Sequence, residues 1–212
     1  MTAELITLGI SHKTATVQLR ERLALTQSAV TGFLQEVAAH PEVHEAVVIS
    51  TCNRTELTLV VGDPVLAESG VLGVLAQLAH VRPTELAERI YSPRNCDAAR
   101  QLFRVCSGLE SMIVGEAEIQ GQVKRAYEEA LAAGTTGPLT NRLFTAALQA
   151  GKRVRSERSP SASRAASTAT VATLAWPAEM AVCVRTRLPV ASAARKSWFV
   201  SGPVVRAVSA CS

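Results

Sequence analysis

Residues 46–61 read Ala46-Val47-Val48-Ile49-Ser50-Thr51-Cys52-Asn53-Arg54-Thr55-Glu56-Leu57-Thr58-Leu59-Val60-Val61. Two runs of β-branched and small apolar residues, 46–49 and 57–61, flank a polar stretch from Ser50 to Glu56. The pattern predicts two buried strands joined by a tight connection. A cysteine therefore stands at a strand end, and an arginine follows two residues later. A thiol so placed is partly exposed, near a fixed positive charge and carried by a rigid sheet. A free cysteine has a pKa of about 8.5, and an adjacent cation lowers such a value to roughly 3.5–7.5, which makes the nucleophilic thiolate a major species. The plainer reading stands beside this one. Cysteine is among the most buried residue types, and at a strand end it is usually a small hydrophobe. Spacing alone leaves both open.

Outward from this hairpin the chain alternates short elements. Glu4 to Ile10 reads as a first strand, ended by Ser11-His12-Lys13-Thr14, a loop in which His12 is within reach of a site or simply solvated. Val17, Leu19, Leu23 and Leu25 suggest a short helical piece. Thr26 is a plausible N-cap for a helix to about His40, with Val30, Phe33, Leu34 and Val37 on one face and Pro41 as its stop. Gly62-Asp63-Pro64 is a turn with a helix start, and the helix runs over Val65 to Ala79. Pro83-Thr84-Glu85 opens another, and Tyr91-Ser92-Pro93 breaks the chain. From Asn95 onward the period is helical: Ala98 to Ser107, Gly115 to Ala133, and Leu139 to about Glu157. The last of these ends in Lys152, Arg153 and Arg155, cations that suit a helix C-terminus or, more sharply, a phosphate-contacting patch. The fold class is α+β: a small mixed strand and helix domain followed by helices.

Composition narrows the classes. The 212 residues suffice for one large or two small domains. No run of eighteen or more apolar residues is present, so no membrane span is predicted. The first ten residues lack a basic start and a long apolar core, which argues against a signal peptide. Cysteines 52, 96, 106, 183 and 211 show no CxxC spacing, which argues for reduced thiols in the cytoplasm and against a zinc site. The net charge of +4 is unevenly spread. Residues 159–212 hold six basic residues and one acid, Glu179, or +5, and the rest of the chain carries −1. The body is thus not strongly basic, and a nucleic-acid contact there needs a local patch.

Three stretches carry a resemblance: Gly9-Ile10-Ser11-His12-Lys13-Thr14-Ala15, Ser50 to Glu56, and Leu102-Phe103-Arg104-Val105-Cys106-Ser107-Gly108-Leu109-Glu110-Ser111 running on to Gly115-Glu116 and Gly121-Gln122-Val123-Lys124. With Gly151-Lys152-Arg153-Val154-Arg155, they resemble the N-terminal catalytic domain of glutamyl-tRNA reductase over residues 1–158. The resemblance implies that the Cys52 thiolate attacks the ester joining glutamate to tRNA. The resulting thioester is reduced by hydride from NADPH to glutamate-1-semialdehyde, in tetrapyrrole (porphyrin) biosynthesis. It implies a glutamyl pocket of Thr51, Asn53, Arg54, Ser111, Glu116, Ala117, Glu118 and Gln122, with Arg54 suited to a substrate carboxylate. Its partners would be glutamyl-tRNA, a downstream semialdehyde aminotransferase, and a second copy through a dimerisation domain this chain lacks.

Two departures touch that pocket. Where the family usually has an assisting histidine, this chain has Gln101, which hydrogen-bonds but does not move a proton near pH 7. Glu118 stands where a glutamine is common. A third departure is larger. A dinucleotide fold needs a glycine-rich turn between strand and helix, and past Gly151 there is one glycine, Gly202. No NADPH site is therefore expected in this chain, and reduction by it alone is not expected. Residues 159–212 are rich in Ser, Ala, Arg and Val without a sustained period, and read as a disordered, out-of-frame tail. An inert module that binds glutamyl-tRNA or a partner protein is the alternative function. A third reading is the non-functional product of a disrupted gene.

Overall fold

The computed structural model describes residues 3–116 and 118–157. The expectations for the tail, Ala117, Cys183 and Cys211 fall outside the described residues. Within them the architecture is α+β: a three-stranded antiparallel sheet and seven helices. The strands are β1 (Glu4–Ser11), β2 (Val43–Thr51) and β3 (Arg54–Val61), in the order β1-β3-β2. The helices are α1 (Val17–Leu23), α2 (Gln27–Ala38), α3 (Pro64–Ala79), α4 (Pro83–Ala87), α5 (Cys96–Cys106), α6 (Glu118–Ala133) and α7 (Pro138–Glu157).

Every residue of β3 is buried. Successive strand residues point to opposite faces, so both faces of the sheet are covered. Helices α2 and α6 pack against β2, α3 and α5 against β1, and α7 reaches β2 and β3. The helices after Asn95 thus close over the sheet and do not form a separate bundle.

The polar residues Arg54, Thr55 and Glu56 belong to β3, although apolar pattern alone begins that strand at Leu57. They are buried because each has a partner. Arg54 pairs with Glu56, and the Thr55 hydroxyl donates to the Leu23 carbonyl at 3.1 Å. Gly115 lies in a turn at φ 86°, so α6 starts later than periodicity suggests.

Both sheet edges are sealed by distant segments, as unpaired edges invite association. Ala46 on β2 donates its N–H to the Thr135 carbonyl at 2.8 Å, and the Thr135 hydroxyl donates back to the Ala46 carbonyl at 2.8 Å. Along β1, Tyr91 exchanges backbone bonds with Gly9, and Thr7 donates to the Pro93 carbonyl. The chain break at Tyr91-Ser92-Pro93 is therefore an edge cover, which suits a segment whose proline cannot donate.

Caps are partly local. Asp63 accepts from the N–H groups of Val65 and Leu66 at the start of α3. Thr26 does stand at the α2 N-cap position but makes no side-chain cap bond; its hydroxyl meets that of Ser28. Helix α7 is capped from another element. Glu45 on β2, buried, accepts from the N–H groups of Leu139 and Thr140 and from the Thr140 hydroxyl. A carboxylate at a helix N-terminus also meets the positive end of its dipole.

Candidate active site

Strands β2 and β3 pair with Thr51 opposite Arg54, leaving Cys52 and Asn53 as a two-residue turn. Such turns usually take left-handed backbone, yet neither residue has a positive φ. Side chains hold the turn instead. The Thr51 hydroxyl accepts from the N–H groups of Asn53 and Arg54, each at 3.2 Å. His12 donates its N–H to the Asn53 carbonyl at 2.9 Å. Arg20, from α1, donates Nη1 to the Cys52 carbonyl at 2.6 Å and to Asn53 Oδ1 at 3.3 Å. Cys52 itself is exposed. Cys106, in contrast, is fully enclosed, and burial pushes its thiol up to about 12.

Behind the turn lies a buried polar cluster. Arg54 and Glu56 are each 2 % exposed and meet at 2.6 Å. The same Glu56 Oε1 accepts from the Tyr91 hydroxyl at 2.6 Å and from Gln101 Nε2 at 3.3 Å. The other fork of Arg54 donates to the Glu110 carbonyl. The Glu110 carboxylate receives Lys13 and Arg104. Burial pulls Glu110 up, but the bonds from those two cations outweigh it and hold the carboxyl below its usual range. Burial, then the Glu56 charge and hydrogen bond, push the Tyr91 phenol well above its ordinary value. His12 is driven the other way, by burial first and then by Arg54, Lys13 and Arg20, against a weaker pull from Glu110.

With this geometry, the relatives become informative. A family model described as "Glutamyl-tRNAGlu reductase, N-terminal domain" matches residues 8–158. The chain belongs to this family. Named glutamyl-tRNA reductases similar to it include one from Rubrobacter xylanophilus, 46 % identical over 149 residues, covering 70 % of this chain and 34 % of that protein. One from Magnetococcus marinus is 38 % identical over 156 residues, covering 74 % and 37 %. A solved glutamyl-tRNA reductase from Methanopyrus kandleri aligns with TM-score 0.56 at 33 % identity, over 72 % of this chain and 34 % of that one. The chain spans about a third of the length of these relatives.

In this glutamyl-tRNA reductase N-terminal domain, Thr51, Asn53 and Arg54 lie at the Cys52 turn, and Gln122 shares with Thr51 a cavity that Cys52 does not line. Thr51, Cys52, Asn53 and Arg54 form the turn and its flanks. Arg54 ties the turn to Glu110, whose neighbour Ser111 is buried. Thr51 and Gln122 line one cavity of about 230 Å³ with Ser50, Arg125 and Glu129. Gln101 reaches the cluster through Glu56. Glu116 is fixed through its backbone carbonyl, which accepts from Arg155 Nη1 at 3.4 Å, while Arg155 Nη2 donates to the Cys106 carbonyl at 3.1 Å. Arg155 is thus directed inward, not into a surface patch. Glu118 is exposed at the start of α6.

Sequence reasoning passed over Glu56, Tyr91, Glu110, Lys13, Arg104 and Arg20. One signal was available: an acid and an arginine inside a strand buried on both faces must find partners. The partners from outside the strand come from distant segments.

The described residues do not fit the dinucleotide that the resemblance brings with it. The sheet is antiparallel throughout, and the β3–α3 turn has the single glycine Gly62. At that helix end, where a pyrophosphate would dock, the Asp63 carboxylate already takes the free N–H groups.

Proposed function

We propose that this chain performs the acyl-transfer half of a glutamyl-tRNA reductase reaction. The Cys52 thiolate attacks the ester carbonyl joining glutamate to tRNA. The carbon–oxygen bond breaks, tRNA leaves, and the glutamyl group stays on sulfur as a thioester. What chiefly supports this is the exposed Cys52 on a two-residue turn held by Thr51, His12 and Arg20. A nucleophile held this firmly loses little freedom on reaction. The thioester is a better hydride acceptor than the ester, which gives the cysteine its chemical purpose. Semialdehyde formation with NADPH, and its hand-over to an aminotransferase, belong in this reading to the longer relatives. No hydride step is assigned to the described residues.

In the same reading Thr51, Asn53, Ser111, Glu116, Glu118 and Gln122 surround the glutamyl group. The Arg54 fork is already taken by Glu56 and the Glu110 carbonyl. A substrate carboxylate at Arg54 would compete with Glu56 for it.

The test is a single-turnover mixture of the chain with glutamate-labelled glutamyl-tRNA, quenched in acid. Protein-bound label is expected, lost with Cys52→Ser and released by hydroxylamine. Retention of tRNA with no protein-bound label would replace this reading with that of an inert binding module.

A further inference from the structure

We propose that His12 is the proton carrier of this site: its imidazole takes the proton of the Cys52 thiol and returns it to the tRNA oxygen that leaves. The inference rests on the acyl-transfer reading above and goes beyond it. That step needs both a base and an acid. Sulfur must lose a proton before it attacks, and the departing ribose oxygen must gain one, because an alkoxide is a poor leaving group.

The titratable groups of the polar cluster are otherwise committed. Glu56 is buried under Arg54, Tyr91 and Gln101. Glu110 is held ionised by Lys13 and Arg104, which makes it a weak base. The Tyr91 hydroxyl keeps its proton in a hydrogen bond to Glu56, and burial and the Glu56 charge push it further from ionising. The Gln101 amide carries no mobile proton near pH 7.

His12 differs in three ways. Its backbone N–H is bonded to the carbonyl of Asn53, the chain neighbour of Cys52, so the residue is fixed beside the turn. Its Nδ1 is enclosed and has no hydrogen-bond partner among the described residues. A histidine retained for structure normally has its buried ring nitrogen paired; this one has a nitrogen to spare. Its charged surroundings also suit both halves of the task. Arg54 from β3, Lys13 from its own loop and Arg20 from α1 face it, with Glu110 opposing from the turn after α5. Burial and these three cations favour the neutral ring, which is the base form. Once protonated, the ring is a stronger acid for the same reason, and gives the proton up readily.

The step balances. The S–H proton moves to the imidazole, sulfur bonds to the carbonyl carbon, and the carbon–oxygen bond breaks. The imidazolium protonates the oxygen, and neutral His12 is restored. No further reactant is consumed.

The experiment compares acylation of Cys52 in the 212-residue chain by glutamyl-tRNA and by glutamyl benzyl thioester, whose thiolate leaves without a proton. His12→Asn is expected to slow both substrates, because both need the thiol deprotonated: the ester by about 100-fold or more, the usual worth of a positioned acid or base, and the thioester by less, because its leaving thiolate needs no returned proton. Equal slowing of both substrates, or slowing within about threefold of wild type, overturns the proposal; a positioned acid or base contributes more. A second variant guards against misfolding. Lys13→Ala removes one cation facing the ring, so the acid limb of the ester rate, expected below the ordinary histidine value of 6.5, moves to higher pH. A limb that does not move also overturns it. If wild type is acylated by neither substrate, it is the acyl-transfer reading that fails.

Discussion

Arg54 and Glu56 lie two residues apart on β3, on the same face, and their side chains meet at 2.6 Å with 2 % of each exposed. This pair is the hub of the site. One carboxylate oxygen accepts from a guanidinium, a phenol and an amide contributed by β3, the β1 edge cover and α5. A buried ion pair is worth little over a well-packed apolar substitute, but removing one partner strands the other.

Glu56→Ala should therefore be severe. It leaves the Arg54 charge, the Tyr91 hydroxyl and the Gln101 amide without their shared acceptor. A loss of about 3–5 kcal/mol is expected by urea unfolding at neutral pH. The double variant Arg54→Met with Glu56→Leu should recover much of it. A single-variant loss below about 1 kcal/mol, within the range of an ordinary surface pair, would show that water reaches the cluster.

Acid should weaken the fold through Glu110. Its carboxyl lies below the ordinary 4.5 in the folded state, so the unfolded chain binds the proton more readily. The stabilisation is present above 4.5 and is lost as the pH falls through the lower folded value. Unfolding midpoints taken from pH 6 to pH 3 should fall less steeply in Glu110→Gln than in wild type. Parallel curves would mean that Lys13 and Arg104 do not hold the carboxylate in solution.

Gly108 should not accept a side chain. It has φ 73°, and a Cβ there would lie 3.0 Å from Gly115 Cα, a backbone atom with no freedom to swing aside. Gly115 also donates its N–H to the Gly108 carbonyl at 2.9 Å, closing the loop that bears Ser111. Gly108→Ala is expected to cost about 1–3 kcal/mol from the conformation alone and to weaken capture of glutamyl-tRNA. An unchanged melting temperature with full acylation would refute this account of the loop.

Thiol accessibility should separate the described cysteines. Cys52 and Cys96 are exposed, whereas Cys106 is enclosed with its thiol raised to about 12. Iodoacetamide followed by peptide mapping should find adducts at Cys52 and Cys96 in the folded chain, and at Cys106 only after denaturation. Modification of Cys106 at the same rate as Cys96 would show that α5 opens locally.

The hairpin around Cys52, the positions of the helices and the α+β class were legible in the sequence, because they depend on local rules. Runs of β-branched and small apolar residues set the strands, the 3.6-residue period sets the helices, and Asp63-Pro64 sets a cap. Which distant groups meet was not legible. Nothing local says that Glu45 caps α7, that Thr135 seals the β2 edge, or that Tyr91 lies against Gly9 and so reaches Glu56. Those choices follow from a requirement the fold satisfies almost throughout: buried polar groups need partners. The partner is whichever donor or acceptor the packed elements bring within 3 Å or so. Residue type placed Cys52 at a strand end. Only the tertiary structure turned Arg54 inward to Glu56, set Arg20 on the turn, and left His12 beside it with a nitrogen unpaired among the described residues.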